Sequence, residues 1–276
     1  MGAVRPQIIL FGDSITEQSF RPGGWGAALA DNYSRKADIL NRGYGGYTTR
    51  WALFLLHHIF PLLHLGAEYE IDGQPTLGNG KYKPRNSNAY IPDGLAKPPV
   101  AVTIFFGAND AALPGRNSDR QHVPIKEYTE NLRKIVEHLK KCSLTMLVVL
   151  ITPPPVDEEG RMEYARSVYG DEAMKEPERT NETAAIYAKQ CVAVAEELGI
   201  PFINLWSKMQ ETEGWQRKFL SDGLHLTPEG NAVVHKEVIR VFNKAGLVAS
   251  EMPYDFPHHS EIDSKNPEKA FTIKCS

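Results

Sequence analysis

An α/β protein built on a five-stranded parallel sheet covered by helices is the fold class this sequence predicts. Short β-branched or apolar runs alternate along the chain with longer helical patterns, which is how strand–helix–strand units read. The runs are apolar almost without interruption, as strands buried on both faces must be. A chain of 276 residues suits one large domain that buries most of its apolar surface without a metal or disulfide staple.

Strands are expected at 7–11, 38–41, 100–106, 146–152 and 202–205, and helices at 24–34, 48–64, 125–141, 181–198 and 228–243. Thr180 or Asn181 can cap the fourth helix, which Gly199 follows, and Thr227 precedes Pro228 at the start of the last, where a missing N–H costs nothing. Residues 1–250 read as a single domain and 251–276 as an extended tail. The stretch 66–99 is an irregular insert rich in Gly, Pro, Asn and charge. It follows a helix and leads into a strand, so it belongs at the amino-terminal edge of the sheet, whereas ligands of open α/β sheets bind at the carboxyl ends. The insert is therefore expected to be a surface excursion and not a lid.

Composition removes several function classes. A net charge of −3 offers no basic field for nucleic acid or an anionic membrane. The three cysteines, Cys142, Cys191 and Cys275, are scattered and odd in number, which argues against a disulfide framework. Only a few residues precede the apolar run at 8–11, too few for a secretory signal, and the longest apolar stretch elsewhere, 51–65, is broken by His57, His58 and Pro61. The expectation is a cytoplasmic, soluble protein with no membrane span and no nucleic-acid partner.

Three short segments follow predicted strands and so project from one sheet edge: Gly12-Asp13-Ser14, Gly43-Tyr44-Gly45-Gly46 and Gly107-Ala108-Asn109-Asp110. A fourth, Asp222-Gly223-Leu224-His225, lies in a polar turn before the last helix. A serine hydroxyl is a poor nucleophile until a base takes its proton. His225 is the candidate base for Ser14, and Asp222, three residues earlier, can hold one ring nitrogen while the other faces the serine. The Ser14 N–H, the unshielded Gly46 N–H and the Asn109 amide supply three donors for a developing oxyanion. Each segment alone has a bland reading: a turn or helix cap for Gly-Asp-Ser, a strand-end turn for 107–110, a surface ion pair for Asp222 and His225. Their order and shared edge favour a joint site. Of the aromatics nearby, Trp25 reads as core, whereas Phe20 and Phe106 are candidates to line a substrate pocket. Pro153-Pro154-Pro155 leaves a strand on the same edge and can stiffen its wall.

Other signals are absent or incomplete. There is no Gly-x-Ser-x-Gly elbow and no phosphate-binding loop; Gly43-x-Gly45 lacks the third glycine of a dinucleotide fingerprint. The pairs His57-His58 and His258-His259 lack the i,i+4 spacing of a zinc site, and no metal is expected.

The stretches Phe11 to Glu17, Asn41 to Trp51, Phe105 to Ala111 and Ser221 to Pro228 resemble the four blocks of the GDSL esterases within the SGNH hydrolases, and look most similar to the isoamyl acetate-hydrolysing esterase branch. Ser14, Gly46, Asn109 and His225 match the four residues that give the superfamily its name; Ile15 stands where the motif has Leu, a like-sized change. The resemblance implies a three-layer α/β/α fold of flavodoxin-like type, catalysis through an acyl-enzyme, and no cofactor. It implies a small-molecule ester as substrate, short-chain acetates first. A carbohydrate deacetylase, a lysophospholipase or a thioesterase would use the same machinery, and a silent binding module would be free to lose it. The oligomeric state is left open.

Overall fold

The computed structural model describes residues 5–62, 97–173 and 176–271. Along the chain run β1 (Gln7–Gly12), α1 (Ser14–Glu17), α2 (Trp25–Asn32), β2 (Asp38–Gly43), α3 (Thr49–Ile59), β3 (Ala101–Phe105) and α4 (Ile125–Cys142). They are succeeded by β4 (Leu147–Ile151), α5 (Glu158–Tyr169), α6 (Asn181–Glu197), β5 (Phe202–Ile203), α7 (Leu205–Gln210), α8 (Trp215–Phe219) and α9 (Pro228–Lys244). The five strands form one parallel sheet in the order β2-β1-β3-β4-β5.

Successive residues of a strand face opposite sides of its sheet, and the two cores divide the strands accordingly. Ile9, Phe11, Val102, Ile104, Val148 and Leu150 pack under α3, α4 and α6. Ile8, Leu10, Ala101, Phe105, Val149 and Ile151 pack under α2 and α9. Both faces are covered, which is why these strands read as unbroken apolar runs. The result is the three-layer α/β/α architecture that the sequence implies.

Two boundaries differ from expectation. The helix expected over 48–64 ends at Ile59, because Phe60 precedes Pro61, whose ring disfavours helical backbone in the residue before it. The strand expected over 202–205 is cut to two residues: Asn204 caps α7, accepting from the Ser207 N–H at 3.1 Å. The tail is not extended throughout; it winds into 3-10 turns at His259–Glu261 and Pro267–Phe271. Asp255 fastens it to Arg5 and Arg35 at 3.0 and 3.2 Å. Nearly all of the insert at 66–99 lies outside the described residues, and so does its expected role.

In this strand order the sheet reverses direction of winding between β1 and β3, the point at which open α/β sheets bind ligands. Ser14 follows β1 and Asn109 follows β3, so the two flank that crevice.

Candidate active site

The segment Gly12-Asp13-Ser14 turns the chain from β1 into α1, and each residue meets a different demand. A Cβ on Gly12 would sit 2.6 Å from the Phe105 carbonyl oxygen, so no other residue fits beside β3. Asp13 is fully buried and caps α1, its Oδ1 accepting from the Ile15 N–H at 2.9 Å. Ser14 is the first residue of α1, so its N–H is among the donors a helix leaves unpaired. Burial pushes the Asp13 carboxyl up to about 7, against the pull of the Ile15 N–H and of the His225 and Arg179 charges.

The other two strand-end segments are held against this turn. The Tyr44 N–H donates to the Gly12 carbonyl at 2.9 Å, and the Gly45 N–H to the Glu17 carboxylate at 2.5 Å. Gly46 has φ of +78°, a conformation that glycine adopts at no steric cost. Asp110 is fully buried and accepts from both the Thr49 N–H, at 3.0 Å, and the Thr49 hydroxyl, which ties the start of α3 to the end of β3. Burial pushes Asp110 up to about 7 as well, opposed by those two Thr49 bonds.

His225 stands on a tight loop between α8 and α9. A bridge between Leu220 and Leu226 closes the loop, and the Ser221 N–H donates to the His225 carbonyl at 2.8 Å. Within it, Asp222 Oδ1 accepts from the backbone N–H groups of Leu224 and His225 at 3.0 and 2.7 Å. This frees Oδ2 for the imidazole.

The sequence-expected residues then converge. Ser14 Oγ lies 2.9 Å from His225 Nε2, and His225 Nδ1 lies 2.7 Å from Asp222 Oδ2. Burial would raise the Asp222 carboxyl, but the hydrogen bond and charge of His225, with Arg161 beside it, hold it well below the ordinary carboxylate range. Asn109 is 5% exposed and donates from Nδ2 to the Tyr47 carbonyl at 2.9 Å, placing its amide against the Gly46–Tyr47 turn. Among the described residues, no acceptor takes the N–H of Ser14 or of Gly46. Serine, imidazole and carboxylate thus form one hydrogen-bonded relay, and the serine's own N–H is unpaired among the described residues. Such a relay can move a proton off the hydroxyl, and an unpaired N–H can stabilise the oxyanion that forms when the hydroxyl attacks a carbonyl.

Residues 8–238 match the model of the GDSL-like lipase/acylhydrolases. The chain belongs to that family. A GDSL esterase/lipase of Arabidopsis thaliana is 65% identical over 99% of this chain and 100% of its own. An isoamyl acetate-hydrolyzing esterase homologue of Bos taurus is 37% identical over 96% of this chain and 91% of its own. A solved lipase/acylhydrolase of Enterococcus faecalis shares the fold at a TM-score of 0.57 and 23% identity, over 87% of this chain and 96% of that one. This GDSL family member is a carboxylic ester hydrolase.

One residue expected to line the pocket lies elsewhere. Phe106 is 1% exposed and packs edge-on against Phe11 at 4.9 Å, in the core beneath α3 and α4. It shares strand parity with Val102 and Ile104, and that face is closed by helices. Phe20, by contrast, is 43% exposed and lies over Gly26, where no side chain competes with its ring. Trp25 is core, as expected, and Pro153, Pro154 and Pro155 are all buried.

Sequence reasoning missed a partly buried ionic cluster behind the site. Arg161 reaches Asp222 Oδ2 at 3.0 Å and Glu178 Oε1 at 2.5 Å. Arg179, 3% exposed, pairs with the same Glu178 oxygen at 2.5 Å. Burial raises Glu178, yet the Arg179 and Arg161 charges hold its carboxyl below the usual range. Among the described residues no group of three or more His, Cys, Asp or Glu is placed to hold a metal ion, and no helix is long and apolar enough to cross a membrane.

Proposed function

We propose that this GDSL family member hydrolyses esters of short carboxylic acids, such as acetates of small alcohols, through an acyl-enzyme on Ser14. The observation that carries the reading is the relay from Ser14 Oγ through His225 to Asp222 at 2.9 and 2.7 Å. His225 Nε2 takes the hydroxyl proton as Oγ attacks the ester carbonyl. Asp222 holds the imidazole in the tautomer that leaves Nε2 free to accept. The Ser14 and Gly46 N–H groups and the Asn109 amide hold the oxyanion. His225 then returns the proton to the departing alcohol, and water repeats the cycle on the acyl-enzyme.

The preference for short acyl groups and small alcohols draws its support from mammalian relatives named as isoamyl acetate-hydrolyzing esterase homologues, 37% identical in Bos taurus. The half-exposed ring of Phe20 serves in this reading as an apolar rest for the acyl or alcohol group. A cytoplasmic setting is in keeping with the free thiols of Cys142 and Cys191.

Fluorophosphonate labelling with peptide mass mapping tests the nucleophile, and a series of 4-nitrophenyl esters from acetate to palmitate tests the acyl preference. The adduct is expected on Ser14, with kcat/KM greatest for the shortest chains. Full activity in Ser14→Ala would defeat the mechanism; a maximum at long chains would defeat the substrate assignment alone.

A further inference from the structure

Asn109 can help an oxyanion only while its NH2 group faces the substrate, and an amide has two nearly isosteric orientations. In one it presents donors. In the other it presents a carbonyl oxygen, which repels the developing charge. Something must choose between them.

We propose that Arg179 is the positioning residue that makes this choice and that it fixes both oxyanion-binding segments at once, an inference that rests on the esterase mechanism above. Its Nη2 donates to Asn109 Oδ1 at 3.2 Å, so a flipped amide would set donor against donor. With Oδ1 occupied, Nδ2 lies on the opposite side, gives one hydrogen to the Tyr47 carbonyl at 2.9 Å and keeps the other for substrate. The same Nη2 donates to Gln121 Oε1 at 2.6 Å, which orients that amide in turn. Gln121 Nε2 then donates to the Gly46 carbonyl at 2.9 Å, on the turn whose N–H is the other donor. Arg179 Nε also holds the Ala108 carbonyl at 2.8 Å, the residue just before Asn109.

Burying a guanidinium is costly unless its charge and its donors are matched. For Arg179 they are: Nε, Nη1 and Nη2 all find acceptors. Glu178 accepts from Arg179 and Arg161, and Arg161 also pairs with Asp222, so the two arginines are balanced by two carboxylates. The chain of contacts therefore runs from the acid that orients the base, through Arg161, Glu178 and Arg179, to the groups that hold the oxyanion. An arginine is required at 179 because the planar fork serves several acceptors in fixed directions, which an ammonium does not.

The test is a double-mutant cycle on 4-nitrophenyl acetate hydrolysis, with KM, kcat and thermal unfolding measured for each protein. Arg179→Met is expected to lower kcat about 10²-fold, the effect of losing one oxyanion donor, while KM changes by less than about threefold because the ground-state ester is little affected. In an Asn109→Ala background the same replacement should cost no more than about tenfold, because one of the two groups it positions is already gone. Arg179→Lys should not restore kcat. Equal losses in both backgrounds would show a merely structural role and overturn the proposal, as would an unchanged kcat in folded Arg179→Met. If Arg179→Met does not fold, Gln121→Leu decides: a fall in kcat of about tenfold at constant KM supports the positioning role, and no fall overturns it. Should the unaltered protein and Ser14→Ala prove equally inactive, the esterase mechanism fails and this inference with it. An active parent with an insensitive Arg179 removes this inference alone.

Discussion

Replacing Asp222 by Asn changes one atom, and the donors around that side chain dictate the outcome. The carboxylate faces four of them: the Leu224 and His225 N–H groups on Oδ1, and His225 Nδ1 and Arg161 Nη1 on Oδ2, at 3.0, 2.7, 2.7 and 3.0 Å. An amide offers one acceptor oxygen and one donor group. The two backbone N–H groups cannot change, so the amide oxygen stays with them and the NH2 turns to His225. The imidazole relieves this donor–donor clash by shifting its proton from Nδ1 to Nε2, where it points at Ser14 and the base is lost. The same substitution in a serine-protease triad lowers kcat about 10⁴-fold, equivalent to about 5 kcal/mol of transition-state stabilisation. Stability should suffer far less, by about 1–2 kcal/mol, because Arg161 keeps Glu178 and the Asp222 backbone carbonyl. The assay is kcat on 4-nitrophenyl acetate beside urea unfolding. A folded Asp222→Asn within tenfold of the parent kcat would refute the assignment of Asp222 as the orienting acid.

Phe106→Ala removes a core ring and should cost about 3–5 kcal/mol in urea unfolding, whereas Phe20→Ala should leave stability within about 1 kcal/mol and raise KM for the preferred ester. Asp13 and Asp110 have folded values near 7 against ordinary values of 3.8, so the folded chain binds more protons than the unfolded one between those limits. Their contribution to stability is therefore complete below about pH 4 and lost as pH rises toward and through 7; urea unfolding at pH 5 and pH 8 should show the fall, and Asp110→Asn should flatten it. At Gly223, with φ of +81°, a Cβ would lie 2.3 Å from the Asp157 carbonyl oxygen and 2.4 Å from the Arg161 nitrogen; Gly223→Ala should destabilise by more than about 1–2 kcal/mol and lower kcat by displacing the Asp222–His225 loop, checked by melting temperature and rate.

The parts of the fold legible in the sequence are those set by burial on both faces. β1 and β3 are apolar at nearly every position because helices close both sides, and α4 and α9 show their apolar stripes and end signals. α5 is not legible: Gly160 is its one buried residue, and without a buried stripe there is no 3.6-residue period to read. α1, α7 and α8 have four, six and five residues, too few turns for periodicity to separate them from loops. The pleat itself holds the correction for Phe106, which shares parity with Val102 and Ile104 on a face that must be covered if the sheet is doubly wound. Nearness to the site in sequence says nothing of the direction in which a strand aims a side chain.

The relay is legible for a different reason. Each of its members follows a strand or lies within a turn of local hydrogen bonds, so topology alone brings the segments to one edge. The ionic cluster behind it is hidden because Glu178-Arg179 stands in a charged, Pro-containing stretch that reads as solvated loop. Yet its position carries a usable signal. Thr180 caps α6, and a helix that leaves a parallel sheet after β4 begins at the carboxyl edge, where the site is. A charged pair immediately before such a cap faces the site or solvent, and here Arg179 reaches the Ala108 carbonyl and the Asn109 amide. The rule that locates nucleophiles after strands thus extends to the residues before crossover helices, since both ends of each loop border the same crevice.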